Sequence, residues 1–255
     1  MINRDPASWN GCLRSPRLGA GREILSERPD VPLNNWIHDC IPTYSQTTDD
    51  CVGNGWANWM EIILRHYIGH GAIPNGYQLD GYRVWWKAKQ MFNNGRLAGG
   101  LLIPQGFEAM KALGWIPKDS MLVEIGRDWV SQGEALLKTP LVVGHAIYAG
   151  WFSPSPVNGC LDHVYKESAR GGGHCTCRIG RWIQNGLKFY GDQNSWGQYY
   201  AWNGIYLIEE EMSADTSLDC PHTISIPGGF ARLLDHEGWK AGLISTPGDQ
   251  QQIRF

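Results

Sequence analysis

Asp49-Asp50-Cys51-Val52-Gly53-Asn54-Gly55-Trp56-Ala57 puts a cysteine at the mouth of a helix. Apolar residues at Trp56, Trp59, Met60, Ile63, Leu64 and Tyr67 keep the i, i+3, i+4, i+7 spacing of one buried helical face. Asp50 stands at the N-cap position. Gly53, Asn54 and Gly55 form helix poorly, so this first turn serves something other than helix stability. Small residues there let another backbone, or a substrate, come close. The free N–H groups and partial positive charge of a helix N-terminus favour thiolate over thiol, and the thiolate is the nucleophile. A buried structural thiol is the commoner fate of a free cysteine, and this stretch alone weighs the two readings equally.

Downstream, the Cys51 helix is expected to run to about Gly69. Tyr82, Trp85, Ala88 and Phe92 suit a second helix ended by Asn93-Asn94-Gly95. After the Gly99-Gly100 loop, Pro104 fits the first turn of a third helix, with Phe107, Met110 and Leu113 inward and Gly114 as its stop. A short helix is read over Val130 to Leu137. The pattern then changes to strands: Leu141–Tyr148, a hairpin of His174–Gln184 and Leu187–Asn194 about the turn signal Asn185-Gly186, and Gly204–Glu209. A helical first half and an antiparallel β second half predict an α+β fold in two layers or lobes. Upstream, residues 1–30 are broken by Pro6, Gly11, Pro16, Gly19 and Gly21 and read as a surface arm, and Val31 to Gln46 as extended chain. The domain proper is placed at 31–209, a helical lobe at about 46–138 and a β lobe at about 139–209. Residues 210–255 are expected as an extension packed on it.

Composition narrows the function classes. With 255 residues and thirteen Trp, the chain can bury a substantial core. A net charge of −3 with no basic run argues against nucleic-acid binding. No apolar run reaches the length of a membrane-spanning helix, so no membrane partner is expected. Met-Ile-Asn-Arg-Asp-Pro lacks the apolar stretch of a secretory signal, which predicts synthesis in a cytoplasm. Seven cysteines, an odd number, leave at least one thiol unpaired.

The hairpin brings chemistry together. A two-residue turn at Asn185-Gly186 pairs Gln184 with Leu187 and, counted outward, His174 with Gly197, close to Asn194. In an unbroken register His174 and Asn194 point to opposite faces, and a one-residue bulge, placed at Gly191-Asp192, corrects this. Cysteine at a helix start with His and Asn on a sheet is the Cys-His-Asn arrangement of thiol hydrolases. His174 accepts the thiol proton, Asn194 holds the imidazole in the useful tautomer, and an ion pair of this kind can lower a thiol pKa to about 3–4. Asp49 and Asp50 push the other way.

Cys51 through Ala57, Gly172-Gly173-His174-Cys175-Thr176-Cys177-Arg178-Ile179-Gly180, Asn194-Ser195-Trp196-Gly197 and Asn203-Gly204-Ile205-Tyr206 resemble the papain-like cysteine peptidases. His174 and Asn194 follow Cys51 by 123 and 143 residues, against roughly 130–150 for such partners. The resemblance implies a two-lobed fold with a long central helix and a thioester acyl-enzyme mechanism on peptide or protein substrates, with no cofactor and no metal. It further implies Gln46 as the oxyanion-hole side chain, Trp196 as a shield over the His–Asn pair, and Gly99 and Gly100 as a backbone clamp for extended substrate. The chain looks more like compact bacterial and bacteriophage-associated members. It departs from the pattern at Val52, at Asp49, and in Gln46 lying one residue nearer the nucleophile.

Two rival readings stand beside this one. The first is a papain-like structural or assembly protein with little or no turnover, virion-associated and joined to a partner in a larger particle. The second is a structural zinc held by Cys160, His163, Cys175 and Cys177, whose types and spacings suit a tetrahedral site. His145 reads as a satisfied core histidine, His66 and His70 as a surface pair without acidic company, and Trp85-Trp86 as core. Cys12, Cys40 and Cys220 are possible disulfide partners.

Overall fold

The first helix, α1 (Cys51–Tyr67), starts at the cysteine as expected, and every residue from Cys51 to Leu64 is buried. A helix covered on all sides must lie at the centre of its domain. The structure, a computed structural model, describes residues 36–41, 45–46, 48–152, 160–161, 170–184, 186–201 and 203–245. The arm over residues 1–30, the turn residue Asn185, His163, Cys12 and the Gln-rich end lie outside that set.

The small residues of the first turn admit backbone. A Cβ on Gly53 would stand 2.1 Å from the Gly81 carbonyl oxygen, at the start of α2 (Gly81–Phe92). One on Gly55 would stand 3.0 Å from Cys175 Sγ. α1 therefore crosses α2 on one side and lies on the sheet on the other. The third helix, α3 (Ile103–Ala112), carries Pro104 in its first turn and buries Phe107 and Met110. Its Gly106 packs against Val52 and Trp56, where a Cβ would come within 2.6 Å of the indole. The short helix α4 (Trp129–Leu136) is capped by the Asp128 carboxylate, which accepts from Ser131 N–H. Trp85 is core, whereas Trp86 on the outer face of α2 is exposed, because neighbouring residues on a helix diverge by about 100°.

Nine strands are described: β1 (Tyr77–Leu79), β2 (Met121–Glu124), β3 (Leu141–Tyr148), β4 (Cys160–Leu161), β5 (Arg170–Gln184), β6 (Leu187–Gln193), β7 (Ile205–Glu209), β8 (His222–Ser225) and β9 (Leu243–Ser245). Seven form one sheet in the order β2-β8-β3-β5-β6-β7-β4, antiparallel except where β4 runs parallel to β7. The pair β1-β9 forms a separate ribbon. The hairpin register agrees with the count from the turn: Gln184 faces Leu187 and Gly180 faces Gly191. It then shifts by one, so that Arg178 faces Asp192 and Cys177 faces Gln193. The bulge lies at the expected step, with Ile179 of β5 as its extra residue opposite Gly191-Asp192.

The residues after Glu209, expected as an extension packed on the domain, enter its sheet instead. Helix α5 (Glu210–Thr216) is followed by β8, which pairs along β2 and meets β3 where His222 faces Val142. Trp239 and Leu233 join the core around α1. A second cluster, with Trp151, Tyr190, Trp196, Tyr206 and Met212, fills the sheet's other face. The result is an α+β architecture with α1–α3 to one side of a twisted sheet. Among the described residues no helix is long and apolar enough to cross a membrane.

Candidate active site

His174 and Asn194 meet where β5 and β6 run past each other, and Cys51, at the start of α1, lies by the backbone of Cys175. His174 Nε2 lies 2.7 Å from Asn194 Oδ1. That oxygen also accepts from Ser195 N–H at 2.7 Å, which fixes the amide orientation. Facing an acceptor, Nε2 must carry the proton, so the lone pair of His174 is on Nδ1. Trp196 stacks on the imidazole with ring centroids 4.5 Å apart, and Phe152 stacks on the outer face of Trp196 at 4.9 Å. The indole thus covers one face of the imidazole. Gly197, with φ +86°, lets the chain turn against Ser45, whose Oγ would be 2.5 Å from a Cβ there.

Cys51 Sγ receives hydrogen bonds from the backbone of Cys175, the residue after His174, and of Val52. These hold the thiol down, but burial is the larger influence, and with Asp50 and Asp49 it pushes the thiol up to about 11. Burial likewise pushes His174 down to about 4, against the bond to Asn194. Burial therefore disfavours both charges of the ion pair expected from the sequence. Asp50 occupies the N-cap position, but its side chain makes no cap bond and its Oδ1 is buried without a partner. Burial pushes its carboxyl up to about 6.

Gln46 is brought to the same end of the sheet. Its N–H donates to Ser195 O at 2.7 Å, beside a bridge between Ser45 and Trp196. Its Oε1 accepts from Ser195 Oγ, and its Nε2 donates one hydrogen to Thr48 O at 2.9 Å. Gly99 and Gly100 are exposed just before α3, with Gly99 at φ +79°. The Gly100 carbonyl is taken by Lys89 Nζ at 2.9 Å.

Three of the four residues of the zinc reading lie among the described residues, on two different strands. Cys175 and Cys177 are buried against α1. Cys160 lies on β4, three strands from β5, or about 14 Å at the usual strand spacing. Among the described residues no group of three or more His, Cys, Asp or Glu side chains is arranged to hold a metal ion. Cys40, Cys51, Cys175, Cys177 and Cys220 are free thiols. His66 and His70 do have acidic company: Asp39 from the preceding turn reaches them at 2.9 and 3.0 Å. That residue lies 27 positions before His66, too far away for local spacing to reveal.

Sequence reasoning missed a buried cluster behind the site. Arg178 and Asp192, both fully buried, form a two-point ion pair (Nε–Oδ1 2.8 Å, Nη2–Oδ2 3.1 Å). His145, directly opposite His174 on β3, is buried beside them. Charged residues inside two otherwise buried strands were the available signal.

No protein-family model and no curated protein sequence matches this chain. Solved structures do. Xylellain, a cysteine protease from Xylella fastidiosa, superposes with a TM-score of 0.64 at 14% identity, covering 77% of this chain and 87% of that one. The bromelain protease from Ananas comosus in complex with the E64 inhibitor gives 0.58 at 16%, covering 77% of this chain and 100% of its own. Digestive procathepsin L 3 of Tenebrio molitor gives 0.60 at 13%, covering 80% and 73%. The chain has the papain-like fold, and at these identities the likeness is one of fold.

Proposed function

We propose that this protein is a papain-like cysteine peptidase acting on peptide or protein substrates through Cys51, His174 and Asn194. One observation carries the reading. The His174–Asn194 hydrogen bond lies under Trp196, and the next residue's backbone touches Cys51 Sγ. With Nε2–H committed to Asn194, Nδ1 is the base that takes the thiol proton as the sulfur attacks the carbonyl. The negative charge that develops on the substrate oxygen is met by the Cys51 backbone N–H and by the second Nε2 hydrogen of Gln46. Imidazolium then protonates the leaving amine, and a thioester remains on Cys51. Water, deprotonated by His174, hydrolyses it and restores the thiol. Gly99 offers backbone groups to an extended substrate, Gly100 O being occupied by Lys89. The scheme needs no cofactor.

The test is a mixed peptide library followed by mass spectrometry. New termini and a transient thioester on Cys51 are expected, both lost in Cys51→Ala, with Gln46→Ala slower by roughly 10²–10³. A library left intact by the unmodified protein at micromolar concentration would contradict peptide hydrolysis.

A further inference from the structure

The strands that carry His174 and Asn194 change register once, and the catalytic geometry depends on that change. Side chains alternate along a strand, so a slip of one residue turns every side chain to the other face. With the step at Ile179, Cys177 faces Gln193, and Asn194 shares the face of His174. Without the step, the count from the turn would set Cys177 opposite Asn194. Asn194 would then point with Cys177 toward α1, away from His174.

The first pair beyond the step is Arg178 and Asp192. Their guanidinium and carboxylate join at two points, 2.8 and 3.1 Å, at full burial. In the slipped register Arg178 would face Gln193 and Asp192 would face Ile179, leaving two buried charges unpaired. Every group packed around the pair favours the observed setting. Arg178 also donates to Gln132 Oε1 of α4 at 2.6 Å and to Ser213 Oγ of α5 at 2.9 Å. Its guanidinium lies 3.8 Å from the Tyr190 ring centroid. Asp192 Oδ2 lies 3.4 Å from both Thr176 Oγ1 and Tyr206 Oη. His145 completes the set. The Thr216 hydroxyl donates to Met212 O at 2.8 Å, so at 3.1 Å it accepts from His145 Nδ1–H. The His145 Nε2 lies 3.3 Å from both Arg178 Nη2 and Asp192 Oδ2.

We propose that Arg178 and Asp192 are positioning residues whose ion pair locks the shifted register and thereby holds Asn194 against His174. The inference rests on the peptidase reading for its catalytic meaning, though not for its structural content. A buried ion pair is weak evidence for stability, since well-packed apolar replacements often fold as well; fixing one arrangement among several is its better-attested role.

The test uses the full, isotope-labelled chain and the double variant Arg178→Met/Asp192→Leu, which removes both charges and keeps the volume. It is expected to melt cooperatively near the unmodified temperature. Its cross-strand NMR contact should move from Cys177–Gln193 to Cys177–Asn194. Labelling of Cys51 by an epoxide thiol inactivator should slow at least tenfold, and adding Asn194→Ala should cost nothing more. Persistence of the Cys177–Gln193 contact overturns the lock whatever the labelling rate. Should the double variant not fold, Arg178→Lys decides, since it keeps the charge and loses the two-point geometry. A second set of contacts in the Cys177–Asn194 register is then expected, and a single set at Cys177–Gln193 overturns the proposal. Unselective labelling of the unmodified protein overturns the peptidase reading, and the strand contacts still report on the lock.

Discussion

At the scale of single residues, the proposed chemistry turns on how burial and neighbouring charge set two protons. Burial pushes the Cys51 thiol up and the His174 imidazole down, and two carboxylates beside the sulfur reinforce the first effect. Asp50 is the nearer and more buried of these. Replacing it with Asn removes a negative neighbour and keeps a residue suited to a helix start. Asp50→Asn is therefore expected to raise the rate of Cys51 alkylation at pH 7 by about two- to tenfold, as a charge repulsion of about 1 kcal/mol would give. A slower rate, measured by mass spectrometry over time, would show that Asp50 assists the thiolate. The pairing of His174 with Asn194 was legible in the sequence because the hairpin turn sets which residues of its two strands face each other. The partners of Arg178 and His66 were not, because their contacts cross 14 and 27 residues of chain with no local pattern.

At the scale of elements, glycine in the first turn of α1 serves the crossing with α2. Gly53→Ala would drive a methyl group into the Gly81 carbonyl, an overlap with rigid backbone that no side-chain movement relieves. A loss of about 1–3 kcal/mol is expected, the usual cost of overpacking, read from urea unfolding. An unchanged midpoint would mean that the crossing is looser than described. The first four helices could be read because their apolar periodicity is strong, and three of them stop at Asn-Gly or Gly. The bulge could be read because His174 and Asn194 had to share a face for the proposed chemistry. β1 and β2 could not: they are three and four residues long, and their partners β9 and β8 lie more than 90 residues further on. The same distance hid the role of the C-terminal segment. Its strand β8 was read as part of an extension, although it lies inside the sheet, between β2 and β3.

At the scale of the whole molecule, buried titratable groups shape stability on both sides of neutrality. His145, His174 and His222 are all held below the ordinary histidine value by burial. The unfolded chain takes up these protons below about pH 6.5 while the folded chain does not, so stability falls as pH drops through that range. Glu61, whose Oε1 accepts from Leu79 N–H, is pushed up to about 8 by burial. It is protonated when folded and ionised when unfolded between about pH 4.3 and 8, so its contribution is lost as pH rises through that window. Maximum stability is thus expected near neutral pH. Glu61→Gln, which keeps the acceptor oxygen, should remove the alkaline decline, gaining at least about 1 kcal/mol at pH 8 in denaturant titrations. An unaltered pH profile in that variant would show that Glu61 is ionised in the fold. The central claim, that this scaffold activates one of its free thiols, is tested most directly by timed labelling with an epoxide thiol inactivator at pH 7, mapped by mass spectrometry. The account predicts that Cys51 reacts well ahead of Cys40 and Cys220 and that His174→Ala abolishes the lead. Labelling of Cys51 no faster than those two thiols would contradict it.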